Sequence, residues 1–362
     1  MSEFESKQQQ LQNLVQEYKL DALLLQRVSS FAWATCGASS YINTAATNGT
    51  ASLLIAKDRR YLITNNIEAP RFENEEGLAA QGWEFKVNQW HTAQTAIADL
   101  TGRHKVGADN PFPNAVDLTQ SFSRLRAKLL PEEGMRYKKL ARWCAEAMND
   151  AIRSVRPGMT EYEIAAVLGK ETQARGVQPI VNLIAVDDRV YAYRHPLPTT
   201  KQLKNYAMLV LCGRKWGLVC SLTRLIHFGK LPDDLRRKAE AVAHVDATFI
   251  AHTKPGVTLE TIFKHAVECY QQNGFGDQWQ FHHQGGATGY EPREYNGTPT
   301  SADVVSVGQA FAWNPSIAGT KSEDTILVGE KENEVITKIE GWPTISLKVN
   351  GQMIERPKTL EL

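Results

Sequence analysis

The sequence predicts an α/β protein made of two domains, and three observations support this. The chain has 362 residues, which exceeds the roughly 250 to 300 residues at which a single hydrophobic core stops growing. Its first part alternates helix-like and strand-like patterns. Its second part repeats a motif, because Pro157-Gly158 recurs as Pro255-Gly256, 98 positions later.

The composition excludes several classes of partner. Lys+Arg number 41 and Asp+Glu 40, so the formal net charge is +1, which argues against nucleic acid or an anionic membrane as the main partner. The first ten residues are polar and no run approaches the roughly 20 apolar residues of a membrane span. Five cysteines without CxxC spacing predict neither a disulfide framework nor a zinc knuckle. We therefore expect a reduced, cytoplasmic protein.

The first domain begins with a polar helix over residues 5–17. Residues 21–25 then form a short apolar run typical of a buried parallel strand. Residues 51–56 and 60–64 predict a hairpin around Asp58. The charged Pro/Gly stretch at residues 129–134 is the best linker candidate, so we place the domains at residues 1–131 and 135–350.

The second domain contains two copies of a helix, helix, strand unit. In each copy the Pro-Gly pair ends an amphipathic helix and a threonine, Thr160 or Thr258, begins the next. Thr160 and Glu163 have capping-box spacing, and the two helices are expected to stop at Gly176 and Gly274. Such copies should pack around a pseudo-two-fold axis.

Extended segments are expected after each helix pair, and the cleft between them is a natural ligand site. They lie at residues 179–186, 207–222, 279–284 and 309–316.

Three segments carry a family resemblance: the repeat, Phe281-His282-His283-Gln284-Gly285-Gly286, and Pro315 followed by Ser322-Glu323-Asp324-Thr325-Ile326-Leu327-Val328. In order and spacing they resemble the pita-bread fold shared by methionine aminopeptidase, prolidase, aminopeptidase P and creatinase. The first domain resembles the one that creatinase, prolidase and aminopeptidase P carry in front of it. The resemblance implies an α/β (α+β) fold, a catalytic-type second domain and a homodimer.

The metallopeptidases of this family hold two metal ions with two aspartates, a histidine and two glutamates. Counting from Thr223-Arg224, the corresponding positions here are Val210, Ser221, His283, Asn314 and Glu323. Only two of the five ligands remain, so the resemblance implies a divergent member without a dinuclear metal site. We expect no metal or other cofactor, with a single metal at His195, His283 and Glu323 as the alternative.

Creatinase is the family precedent for hydrolysis of a C–N bond by histidine chemistry without metals. His195-Pro196 matches its catalytic histidine in place, whereas Thr223, Asn314 and Tyr290 stand where creatinase or its relatives have other side chains. Creatine itself is therefore a poor substrate candidate.

The resemblance places His283 as the acid or base, oriented by Glu323, and His195 beside the leaving nitrogen. Because alternate strand residues face opposite sides, only one of His282 and His283 is expected to point inward, and matching Glu291-Pro292 to the family selects His283.

Arg293 is predicted either to hold a substrate carboxylate or to pair with Glu291 or Glu294. Asn314 would stabilise charge, and Lys321 is interpreted as a charge partner. Cys212 and Cys220 are either nucleophiles or small buried hydrophobes. The full predicted substrate-binding set is Arg293, Asn314, Tyr290, Thr223 and Arg224.

These residues favour a metal-independent hydrolase acting on a C–N bond of a small amide, amidine or N-substituted amino acid. One alternative is an Xaa-Pro dipeptidase or aminopeptidase with an unusual single metal. The other is an inactive, peptidase-like binding protein. In each case the expected partner is a small molecule or short peptide.

Overall fold

The computed structural model describes residues 1–92, 95–102 and 104–362, and these residues form two compact units. Unit 1 comprises Met1–Arg126 with Trp216–Leu218, and unit 2 comprises Ala127–Lys215 with Val219–Leu362. Among the described residues, no helix is both long enough and apolar enough to span a membrane.

Unit 1 is built on a six-stranded sheet with the strand order β4-β3-β2-β1-β5-β6. Its elements are α1 (Glu3–Glu17), β1 (Ala22–Arg27), α2 (Val28–Ala34), β2 (Asn48–Ala56), β3 (Arg60–Asn65), α3 (Ala69–Asn74), β4 (Glu84–Asn88), α4 (Ala96–Thr101), β5 (Val106–Ala108), β6 (Val116–Asp117) and α5 (Thr119–Ala127).

The local predictions for unit 1 are confirmed. Ser2 and Glu5 form a capping box at the start of α1, whose inner face buries Leu11, Leu14 and Val15. The β2–β3 hairpin forms as expected. The buried strand β1 is parallel to β5 but antiparallel to β2.

Unit 2 contains two larger sheets, ordered β19-β9-β8-β7 and β11-β10-β12-β15-β16, and the hairpins β13–β14 and β17–β18. Its elements are α6 (Pro131–Ser154), α7 (Glu161–Ala174), β7 (Gln178–Val186), α8 (Asp188–Ala192), β8 (Tyr206–Lys215), β9 (Leu218–His227), α9 (Asp233–His252), α10 (Leu259–Gln272), a 3₁₀ helix (Gln278–Phe281), β10 (Gly285–Thr288), β11 (Tyr295–Asn296), β12 (Ala310–Trp313), β13 (Ser316–Ile317), β14 (Thr320–Lys321), β15 (Asp324–Val328), β16 (Asn333–Val335), β17 (Thr344–Val349), β18 (Gln352–Pro357) and β19 (Leu360–Glu361).

The prediction that residues 129–134 form a linker is wrong in one respect, because most of this stretch is helical. Pro131 takes the first position of α6, where its missing N–H costs nothing. The Glu133 carboxylate accepts a hydrogen bond from the Leu130 N–H at 2.7 Å, as a helix start requires. These residues therefore begin a 24-residue helix.

The helical part of the repeat is confirmed, whereas the extended segment expected at residues 279–284 begins as a 3₁₀ helix. The Thr160 hydroxyl accepts from the Glu163 N–H at 3.2 Å, and the Thr258 hydroxyl accepts from the Thr261 N–H at 3.3 Å. The helices that they open, α7 and α10, are followed by Gly176 and Gly274, with φ values of +66° and +80°. Glycine adopts this left-handed conformation without the steric cost that other residues incur.

Candidate active site

Successive side chains of strand β9 point to opposite faces of its sheet, and the candidate site lies on the face of Thr223. Thr223 hydrogen bonds to the Glu323 carboxylate at 2.7 Å, whereas Arg224 donates to the Asp324 carboxylate at 2.8 Å. The Thr223 N–H also donates to the Glu323 carbonyl at 3.1 Å. Since successive strand residues point to opposite sides, Thr223 and Arg224 cannot serve one pocket.

Arg224 belongs to a buried ionic network rather than to the predicted substrate-binding set. Its guanidinium and that of Arg356 both donate to Asp324 at 2.8 Å, and Arg356 also donates to Asp246 through Nε at 2.8 Å. All four side chains are at most 2% exposed. Two cations balance two anions there, which is how buried charges are normally retained.

Glu323 is the centre of a second charged group on the Thr223 side. Its Oε2 accepts from Lys321 Nζ at 2.7 Å and from the Thr223 hydroxyl at 2.7 Å, while its Oε1 accepts from Arg293 Nη2 at 3.2 Å. Glu323 is 2% exposed. We call Arg293, Lys321 and Glu323 the charged triad.

The charged triad holds Glu323 in its ionised form. Burial acts to raise the pKa of this carboxyl, but the positive charges of Lys321 and Arg293 and the hydrogen bonds outweigh it and lower the pKa to about 2. Such a weak base does not accept protons at neutral pH.

The predicted orientation of His283 by Glu323 is not formed. Within the described part of the chain, the Glu323 carboxylate is hydrogen-bonded to Lys321, Arg293 and Thr223, and not to His283. The predicted alternatives for Arg293 also need correction, because its ion pair is with Glu323. Its Nη1 donates to the Pro292 carbonyl at 2.6 Å. The interpretation of Lys321 as a charge partner is confirmed.

Three histidines lie together beside the triad. His195, His282 and His283 each offer a nitrogen, and the three atoms lie within 4.8 Å of one another. The Nε2 atoms of His195 and His282 are 3.2 Å apart. The rings of His195 and His283 stack with centroids 5.4 Å apart. The single-metal set proposed from the sequence is thus changed, because His282 takes the place of Glu323.

Both neighbouring histidines reach this cluster because their segment is not a strand. Residues Gln278–Phe281 form a 3₁₀ helix, and β10 begins only at Gly285. The Gln284 side-chain amide donates to the carbonyls of Trp279 and His282, at 3.1 and 2.6 Å, which keeps the segment turned. The alternation rule therefore does not apply here, and the expectation that only one histidine points inward is wrong.

The three imidazoles are neutral at neutral pH. Although His283 is exposed, desolvation by the surrounding protein, followed by the positive charge of Arg293, lowers its pKa to about 4. Burial and the charge of Lys321 lower the pKa of His195 and, much more strongly, that of His282. Each ring therefore offers a nitrogen lone pair.

The other two predicted substrate-binding residues, Tyr290 and Asn314, are buried and make hydrogen bonds within the protein. The Tyr290 hydroxyl donates to the Glu133 carboxylate at 2.5 Å. The Asn314 N–H donates to the Gln284 carbonyl at 3.0 Å, while its side-chain oxygen is buried with no partner among the described residues.

Cys212 and Cys220, two of the three buried cysteines, do not fit a nucleophile. Burial raises the pKa of Cys212 to about 11, and that of Cys220 well above its usual value. Both thiols are therefore protonated at neutral pH, which removes the reactive thiolate form.

The donor set does not fit a dinuclear metal centre. Val210 and Ser221 are 2% and 0% exposed in β8 and β9, and neither carries a carboxylate. Cys212 Sγ and Ser221 Oγ contact one another at 3.2 Å. The remaining carboxylate, Glu323, is already paired with two protein cations, whereas two adjacent divalent ions need several anionic ligands.

Two residues of this site were missed as contributors by the sequence reasoning. His282 was set aside by the strand rule, although two adjacent histidines are an unusual signal. Ser316, whose hydroxyl lies 3.2 Å from His282 Nδ1, carries no signal in the sequence.

The fold is of the pita-bread type, and the chain belongs to metallopeptidase family M24, whose family model matches residues 135–330. A curated relative, an uncharacterized peptidase of Staphylococcus epidermidis, is 28% identical over 234 residues, covering 62% of this chain and 66% of the relative. The chain thus matches slightly less than two thirds of that relative's length.

Solved structures show the same fold over nearly the whole chain. The Xaa-Pro dipeptidase from Bacillus anthracis is 20% identical, with a TM-score of 0.78, covering 99% of this chain and 100% of that one. The prolidase from Pyrococcus horikoshii OT3 is 19% identical, with a TM-score of 0.79, covering 92% and 99%. At these identities the likeness establishes the two-part α/β fold.

Proposed function

We propose that this family M24 protein hydrolyses a C–N bond in a small amide, amidine or N-substituted amino acid, using histidine side chains in place of a dinuclear metal centre. One observation carries the proposal: Lys321 and Arg293 both pair with Glu323, the one carboxylate left among the family's five ligand positions. Protein cations thus neutralise the group that would otherwise bind metal.

The charge of the triad supports an anionic substrate. Lys321 and Arg293 together exceed Glu323 by one positive charge, and the neighbouring imidazoles are neutral. In a buried setting an uncompensated charge interacts strongly with a ligand of opposite sign. A substrate with one carboxylate, such as an N-substituted amino acid, is therefore favoured over a neutral or cationic one.

The proton balance assigns roles to two histidines. His283, neutral and exposed, accepts a proton as water forms a C–O bond to the substrate carbon. The C–N bond breaks as the leaving nitrogen takes up the proton that His283 accepted from water, which leaves His283 neutral again. His195 has a ring nitrogen within 4.8 Å of a His283 nitrogen. We therefore assign His195 a position next to the leaving nitrogen when that nitrogen takes up its proton.

The test is a hydrolysis screen of small amides, amidines, N-substituted amino acids and Xaa-Pro dipeptides, with and without a chelator. The expected result is turnover that survives chelation and falls at least about a hundredfold in His283→Gln, since general acid–base catalysis contributes about 10²–10⁴-fold. His104→Gln is the matched control, because His104 is 63% exposed in unit 1. Unchanged turnover in His283→Gln would contradict the assignment.

A second candidate is an Xaa-Pro dipeptidase with one metal ion, and the three-histidine cluster is the observation that favours it. In that case chelation would abolish turnover of Xaa-Pro dipeptides, and zinc, manganese or cobalt would restore it. Binding of these compounds without turnover, under every metal condition, would instead identify a peptidase-like binding protein.

A further inference from the structure

We infer that His195, His282 and His283 form a binding site for one divalent transition metal ion, with zinc as the probe of choice. The site differs from the family's carboxylate-rich set because all three donors are nitrogens and because His282 takes part. The inference concerns binding alone and does not depend on any hydrolytic activity. The histidine chemistry proposed above belongs to the metal-free protein, because bound zinc would occupy the lone pair of His283.

The spacing of the nitrogens fits tetrahedral zinc. Zinc binds imidazole at about 2.0–2.1 Å, so two nitrogens of one tetrahedral site lie about 3.3–3.4 Å apart. The Nε2 atoms of His195 and His282 are 3.2 Å apart, and one nitrogen from each of the three rings lies within 4.8 Å of the other two. A small side-chain rotation of exposed His283 would complete the set.

His282 already has the outer support that metal-binding histidines use. The Ser316 hydroxyl lies 3.2 Å from its Nδ1. This hydroxyl can accept a hydrogen bond from the Nδ1–H, which leaves the Nε2 lone pair facing His195. Ser316 is in turn held by Tyr270, whose hydroxyl accepts from the Ser316 N–H at 3.0 Å. Such partners fix the ring and its tautomer.

The burial of the three histidines resembles that of a metal site with one open coordination position. His282 is 7% exposed, whereas His195 and His283 are exposed, which gives a metal ion an entry path and leaves room for a fourth ligand. Imidazole favours zinc, copper and nickel over magnesium and calcium. The net positive charge of the triad weakens binding and favours an anion as fourth ligand.

The experiment is calorimetric titration of zinc into chelator-treated, dialysed, untagged full-length protein at neutral pH. We expect one zinc per chain, and a tetrahedral visible spectrum when cobalt replaces zinc. Magnesium should not bind. Absence of zinc binding to the wild-type protein would overturn the inference while leaving the histidine hydrolysis proposal intact.

Variants locate the ion. His282→Asn should weaken zinc binding by more than about tenfold, and Ser316→Ala by about ten- to a hundredfold, the range for outer-shell partners. His104→Gln should bind zinc as the wild type does. Metal-free melting curves of each variant exclude unfolding as the cause. Equal zinc affinity in His282→Asn and wild type would show that the ion binds elsewhere and would refute the inference.

Discussion

Replacing Lys321 by Met tests whether the charged triad is an energetic unit. The substitution removes the 2.7 Å ion pair to Glu323 and leaves a buried carboxylate hydrogen-bonded to Arg293 at 3.2 Å and to Thr223 at 2.7 Å. Breaking a buried ion pair typically costs about 3–5 kcal/mol. Because Arg293 still pairs with Glu323, we expect the lower end, about 3 kcal/mol.

This loss should be visible as a lower melting temperature of unit 2. For a folding unit of this size, 1 kcal/mol corresponds to about 2–4 °C, so the expected decrease is about 6–12 °C. The assay is thermal unfolding followed by circular dichroism at pH 7, with urea unfolding as a second measure.

Two further variants make the test decisive. Lys338→Met removes an ion pair of the same 2.7 Å length to Glu355, but both side chains are at least half exposed, so the loss should be at most about 1 kcal/mol. In Lys321→Met/Arg293→Met, Glu323 loses both of its cations, and stability should fall below that of Lys321→Met. Equal losses in Lys321→Met and Lys338→Met, or no further loss in the double variant, would refute the reasoning.

Three other outcomes follow from the same structure. The folded pKa of Glu323 is about 2, below an unfolded value of about 4.3. The stability that its carboxylate contributes is therefore fully present above that unfolded value and is lost as pH falls towards 2. The melting temperature of Glu323→Gln should accordingly depend less on pH between pH 5 and pH 3 than that of the wild type, and parallel curves would contradict this. Buried Cys212 and Cys220, with raised pKa values, should resist a thiol reagent in the native protein while Cys36 and Cys269, both partly exposed, react first, as peptide mass mapping would show; early labelling of Cys212 would be the contrary result. Thr160→Ala removes the cap of α7 and should cost about 1 kcal/mol in urea unfolding, whereas an unchanged midpoint would show that the cap contributes nothing.

The sequence by itself determined the features that depend on local chain chemistry. The Pro-Gly pairs, the capping threonines and the glycines after α7 and α10 act within a few residues, so their spacing predicts where those helices begin and end. The loss of carboxylates at Val210, Ser221 and Asn314 was also readable, because it depends only on matching positions to a family. The opposite faces of Thr223 and Arg224 follow from strand alternation alone.

Only the tertiary structure decided which side chains of the site are paired with one another. Arg293 and Glu323 are 30 positions apart, and Ser316 and His282 are 34 apart; no local pattern links either pair. The turn that brings His282 and His283 to the same side depends on hydrogen bonds from the Gln284 side chain and on support from Tyr270. Side chains that meet across loops and sheets are selected by packing and by the need to pair buried polar groups. The pairing of Glu323 with cations rather than with His283 therefore became visible only in three dimensions.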